Sequence, residues 1–129
     1  MKKIEVVAAI IKNNGSILCC KREVNKFAYL SEKWEFPGGK LEEGETQEEA
    51  LIREIDEELE MVIYDIEFAL TVVHKYEDFE LTMHAFKVST TQTKFKLHAH
   101  KEAIWTPLEK LKKYDWAAAD LPIVEYLQN

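Results

Sequence analysis

The chain has 129 residues, which fits one domain with a real core and leaves no room for two. Hydrophobic residues make up 47% and charged residues 32%, so disorder is excluded, and a net charge of −7 disfavours nucleic acid polymers and anionic membranes as partners. No apolar run is long enough to span a bilayer, Glu5 interrupts the one leader-like stretch, and Cys19 and Cys20 are neighbours that do not pair, so a cytoplasmic protein with reduced thiols is expected.

Residues 4–11, "IEVVAAII", read as a buried first strand. Asn13-Asn14-Gly15 signals a turn, and "SILCCKR" returns over 16–22 as the second strand of a hairpin. Residues 23–33 read as a loop. "WEFPGGK", 34–40, reads as a short strand that breaks at Pro37 and a Gly38-Gly39 turn. A helix is expected over 46–59, with Thr46 and Glu49 as a capping box and Leu51, Ile55 and Leu59 recurring at i, i+4 and i+8. Strands follow at about 62–75 and 81–90 and again near 102–106. Pro107 suits the first position of a short helix at 108–114. Asp120 would cap a last helix over 120–127, with Pro122 in its first turn. Strands outnumber helices without alternating strictly with them, so the expected class is α+β, a mixed sheet with helices packed on it, in a single domain over 1–129.

The predicted helix is strongly acidic. Glu54, Glu57 and Glu58 are spaced i, i+3 and i+4, so they share one face, beside the apolar arc of Leu51, Ile55 and Leu59. Like charges at this spacing repel by about 0.2–0.5 kcal/mol per pair. Arg53 points to a different side and compensates only partly. A hard divalent cation with oxygen ligands would compensate well. Acidic surface helices are also common without any site, and Glu48, Glu49, Asp56 and Glu60 read as solvated charge.

The segment before the helix adds a register. From Gly39 to Met61 the chain reads glycine, Glu45, Arg53-Glu54, then Glu57-Glu58, with Ile55 and Met61 at apolar positions. This is similar to the Nudix box, G-x5-E-x7-R-E-U-x-E-E-x-G-U with U apolar. "KKIEVVAAII", "WEFPGGKLEEGE", "MHAF" and "WAAADLPIVEYL" resemble the MutT-like branch of Nudix hydrolases, and most of all its CTP or (deoxy)cytidine triphosphate pyrophosphohydrolases and 8-oxo-dGTP diphosphatases. The one departure is Glu60, where the family has glycine. A left-handed Glu there costs about 1 kcal/mol, so a slightly different helix end or loop is expected.

The resemblance implies a mixed β-sheet between helices and a hydrolysis of nucleoside triphosphates to monophosphate and pyrophosphate, with Mg²⁺ or Mn²⁺. It implies metal ligation by Glu54, Glu57, Glu58 and the Gly38 carbonyl, with Arg53 orienting the carboxylates and Glu45 fixing the loop–helix geometry. In "HAHKEAIW" it offers Glu102 as a further metal ligand or base, although a surface charge before a strand is the plain alternative. Arg22 could reach a phosphate oxygen or simply lie solvated at a strand end. Glu35 and Asp120 match positions that read the base, beside Gly39 in the substrate loop. Both are acceptors, which excludes neither cytosine nor an oxidised guanine. Asp120 is equally a good N-cap. Trp34, Phe79 and Trp116 could stack on a base, but core packing is the better reading for each. The four histidines, His74, His84, His98 and His100, need no catalytic role. The partner is then a small nucleotide, with the chain a monomer or homodimer. Competing readings are an ADP-ribose hydrolase, disfavoured by the lack of a proline between Pro37 and Pro107, and a non-catalytic sensor, disfavoured by the intact carboxylates.

Overall fold

Asn14 and Gly15 both take left-handed backbone, with φ of 49° and 77°. That is the two-residue turn whose twist matches a hairpin, and it joins β1 (Lys2–Asn13) to β2 (Ser16–Arg22). The computed structural model describes residues 1–129, and it places β1 at the centre of a seven-stranded sheet. β3 (Trp34–Glu35) and β4 (Gly38–Lys40) precede α1 (Gln47–Leu59), and β5 (Tyr64–Lys75), β6 (Phe79–Ser89) and β7 (His100–Pro107) follow it. A 3-10 helix, Leu108–Lys113, and α2 (Leu121–Gln128) close the chain.

β1 pairs with β6 in parallel from Lys2 opposite Phe79 to Lys12 opposite Ser89, and the other pairings are antiparallel. The strand order is β3-β2-β1-β6-β5, with β4 also on β1 and β7 on β2. Val7 to Ile11 are buried without a break, as a strand covered on both faces must be. Side-chain alternation then divides the core in two. Val7, Ala9 and Ile11 pack with Leu18, Cys20 and the Ala50, Leu51, Ile55 and Leu59 stripe of α1. Ala8 and Ile10 pack on the other face with Ile17, Leu111, Trp116, Ile123 and Val124. The mixed sheet is thus sandwiched between helices, as the sequence implied. Burying Leu51, Ile55 and Leu59 completely contributes about 1.5–3 kcal/mol each relative to exposure.

The expected capping box is present: Thr46 Oγ1 accepts from Glu49 N at 3.1 Å, and Thr46 N donates to Glu49 Oε1 at 2.9 Å. Other local expectations are corrected. Residues 34–40 form two strands, not one strand ending in a glycine turn, because after Phe36-Pro37 the chain crosses to β1. There Gly38 lies opposite Ala8 and Gly39 opposite Val7. Neither glycine has positive φ. Gly38 is required because a Cβ would collide with the Val7 carbonyl oxygen. Pro107 ends β7 and precedes the 3-10 helix, so it is the cap and not the first helical residue. Asp120 makes no side-chain cap bond to α2. Its carboxylate is used elsewhere.

The helix end does not deviate to accommodate Glu60. That residue keeps the left-handed conformation, φ 54° and ψ 45°, and its N–H donates to Asp56 O. The segment between β6 and β7 then covers the end of α1, with Lys96 N donating to Leu59 O and His98 N to Glu58 O. Carbonyls that a helix leaves without partners are satisfied this way. His98 Nε2 also lies 2.5 Å from Glu60 Oε2.

Candidate active site

Two carboxylates of α1 lie against the glycines of β4. Gly38 N donates to Glu58 Oε1 at 3.2 Å, and the Glu54 carboxylate fills the volume that a Cβ on Gly39 would need. The cluster is fastened by Arg53. Its Nε and Nη2 bond to the two oxygens of Glu45 at 2.6 and 2.9 Å, a bidentate fork. Nη2 also donates to the Lys40 carbonyl at 3.1 Å, and Nη1 reaches Glu54 at 2.9 Å and Glu57 at 3.2 Å. The expectation that Arg53 would stand to one side is therefore corrected: its length carries the guanidinium back across the carboxylates. Glu45 also accepts from Glu42 N at 2.8 Å, so the loop before the helix is held by the same residue.

Glu58 sits at the wall of a cleft of about 820 Å³ whose lining includes Arg22, Glu35, Phe36, Gly38, His100 and Asp120. Burial pushes the Glu58 carboxyl up to about 8; the charges of Glu35 and Glu54 add to this, and His100 and the Gly38 N–H oppose it. Glu35 carries a partner on each oxygen, Arg22 Nη1 on Oε1 at 2.7 Å and His100 Nε2 on Oε2 at 2.8 Å. Burial would raise Glu35, but the His100 hydrogen bond and the Arg22 charge outweigh it and hold the carboxyl below its ordinary value. Asp120 has no such cation. Burial, with the Glu35 charge added, raises it well above the usual carboxylate range. Its Oδ1 accepts from Phe36 N at 3.0 Å, which ties the start of α2 to the residue that follows β3.

Sequence reasoning missed His100. Its side chain is 2% exposed and it is in direct contact with Glu35. A bulge between Lys21 and Arg22 sets Glu102 opposite Lys21 but His100 opposite Arg22, leaving Lys101 over. Nothing local in "HAHKE" signals that pairing. Glu102 itself is exposed and outside the cleft lining. Its neighbour Ala103 packs on the α1 side, so alternation turns Glu102 to the opposite face from Glu54, Glu57 and Glu58. Trp34, Phe79 and Trp116 belong to the core, between 5% and 8% exposed, and of the three only Phe79 also lines the cleft.

No three His, Cys, Asp or Glu side chains converge in a metal-holding group. Arg53, a cation, stands between Glu54 and Glu57 instead. The donors at hand are carboxylate and backbone oxygens, the chemistry of a hard divalent ion. Glu58 lies on the Gly38 backbone and Glu54 against Gly39, so these oxygens are gathered on one strand and the residues fit such an ion. No helix is long and apolar enough to cross a membrane.

Comparison with known proteins places this geometry in context. The NUDIX domain family matches residues 6–126. A CTP pyrophosphohydrolase of Escherichia coli (strain K12) is 35% identical over 125 residues, 97% of this chain and 91% of that protein. An 8-oxo-dGTP diphosphatase of the same organism is 29% identical over 130 residues, 100% of this chain and 99% of that one. The crystal structure of a MutT NUDIX hydrolase from Burkholderia pseudomallei superposes with a TM-score of 0.85, covering 98% of each chain at 24% identity, which supports the fold.

Proposed function

The chain belongs to the NUDIX domain family and is a Nudix hydrolase, and on that premise we propose that it hydrolyses CTP, dCTP or a modified cytidine nucleotide to the monophosphate and pyrophosphate. The observation that carries this reading is one cleft that gathers two sets of groups. Glu58 and the Gly38-Gly39 strand line it, and so do the Glu35 and Asp120 carboxyls. A nucleoside triphosphate suits both sets, with phosphates for a cation held at Glu58 and amino donors on its base for the carboxyls. The full-length similarity to a CTP pyrophosphohydrolase supports the choice of base.

Nudix hydrolases generally use divalent metal ions. Here Glu54, Glu57, Glu58 and the Gly38 backbone would hold Mg²⁺ or Mn²⁺. When bound, the ion supplies neutralisation of the polyphosphate and activation of the attacking water. The chain's own residues do the remainder. Arg53, anchored on Glu45, fixes where Glu54 and Glu57 point. A carboxylate of the cluster takes the proton of the attacking water. Arg22 holds Glu35 through Nη1 at 2.7 Å, which leaves its Nη2 to meet a phosphate oxygen. Glu35 accepts from an amino group of the base, and Asp120 lines the same cleft. Phosphoryl transfer requires positioning and charge stabilisation, so no Ser or Cys nucleophile is called for.

The similarity to an 8-oxo-dGTP diphosphatase favours a second reading, in which the base is an oxidised guanine. Product analysis with Mg²⁺ over CTP, dCTP, UTP, 8-oxo-dGTP and ADP-ribose separates them. CMP and pyrophosphate from CTP at the highest kcat/KM is the expected result. Preference for 8-oxo-dGTP moves the reading to the second. Release of orthophosphate, or turnover of ADP-ribose alone, overturns both.

A further inference from the structure

His100 is an imidazole shut inside the protein with one hydrogen bond. Its side chain is 2% exposed, Nε2 is 2.8 Å from Glu35 Oε2, and Nδ1 is buried with no partner. The fold does not require a polar ring there. β7 pairs with β2 through backbone bonds, and a buried polar atom without a partner costs about 1–3 kcal/mol. The Nε of Arg22, the other residue on Glu35, is buried without a partner as well. Two residues that each carry such an atom meet on one carboxylate in a cleft wall, which calls for an explanation beyond stability.

The geometry of Glu35 provides it. A carboxylate offers about four lone-pair sites on its two oxygens. Arg22 takes one on Oε1 and His100 takes one on Oε2, so the group is gripped from both sides and cannot rotate freely. We propose that His100 is a positioning residue for base selection, turning the Glu35 carboxylate so that its remaining lone pairs accept an exocyclic amino group of the base. This rests on the cytidine reading given above. The held charge acts in the same direction: Glu35 is kept below the usual carboxylate range although it is partly buried, while Asp120 nearby, with no cation in contact, is raised. An anionic acceptor facing position 4 of the base welcomes the N4 amino group of cytosine and repels the O4 carbonyl of uracil, which also carries a proton on N3. The cost of a mispaired buried acceptor falls on the wrong base.

The inference is tested by kcat/KM for CTP and UTP in the wild type, His100→Leu and His100→Gln, with melting temperatures. His100→Leu is expected to lower the CTP:UTP ratio by about tenfold or more, through KM for CTP, with kcat changed little. His100→Gln, which can still donate to Glu35, restores most of the ratio. His100→Asn is too short to reach Glu35, and it carries the test should His100→Leu fail to fold. A lower melting temperature with an unchanged ratio reduces His100 to packing and overturns the inference. A wild type that does not distinguish CTP from UTP overturns it too. A wild type that hydrolyses neither sinks the cytidine reading itself, which the variants cannot do.

Discussion

The carboxylate of Glu54 occupies the space in which residue 39 would carry a side chain, so Gly39 is what lets α1 bring that group to β4. Gly38, one residue before, has its own close neighbour in the Val7 carbonyl of β1. The two glycines therefore answer different needs. Gly39→Ala pushes a flexible side chain, and its expected effect is about a 10²-fold loss of kcat/KM from misplacing Glu54, with the fold retained. Gly38→Ala pushes backbone, and its expected effect is a loss of about 1–3 kcal/mol or more of stability. Denaturant titration beside initial rates distinguishes them; equal effects on rate and stability in both variants contradict the assignment.

Glu57 is half exposed, and its contact is Arg53. Glu57→Gln should therefore leave the melting temperature within a few degrees while activity drops on the order of 10²–10⁴-fold, the range for a group acting directly at the reaction. Glu102, on the opposite sheet face, gives the contrast: Glu102→Gln is expected to keep activity within about twofold. Unchanged turnover in Glu57→Gln removes the metal assignment. A large loss in Glu102→Gln means that β7 repositions when substrate binds.

Asp120 gives a pH dependence whose sign can be worked out. Its folded pKa is raised well above the ordinary aspartate value of 3.8, by burial first and the Glu35 charge second. Between those two values the folded chain holds a proton that the unfolded chain has released, so stability falls as pH rises through that window. Asp120→Asn removes the titration while keeping an oxygen for the Phe36 N–H. The variant should gain stability over the wild type as pH rises above the ordinary aspartate value, and lose kcat/KM for its nucleotide. Melting curves over that range are the measurement. A stability difference that is flat with pH contradicts the account.

Glu60 holds a conformation that glycine adopts without cost. Against this strain stands an exposed contact with His98, and exposed ion pairs contribute little. Glu60→Gly is thus expected to raise the melting temperature by about 2–6 °C with activity unchanged. A lower melting temperature would show that the His98 contact and the segment after β6 matter more than the backbone does.

Much of the site was legible because its signals are local. Thr46 and Glu49 announce the start of α1, and Leu51, Ile55 and Leu59 fix which side is buried. The spacing of Glu54, Glu57 and Glu58 then follows from 3.6 residues per turn. Gly38 misled for a physical reason. A glycine pair after proline has the composition of a turn, and only the approach of β4 to β1 shows that the missing Cβ, not the freedom of φ, is what matters.

The sequence by itself therefore determined the helix, its cap, its carboxylate register and the hairpin before it, since each is encoded within a few turns or a few residues. The group around Glu35 is different. Arg22, Glu35, His100 and Asp120 come from β2, β3, β7 and the start of α2, and they meet through pairings between distant strands. Strand side chains alternate every residue, so a slip of one position exchanges the inner and outer sets. One bulge beside Arg22 decides that His100 faces Glu35 while Glu102 faces away, and only the tertiary structure fixes where that bulge falls.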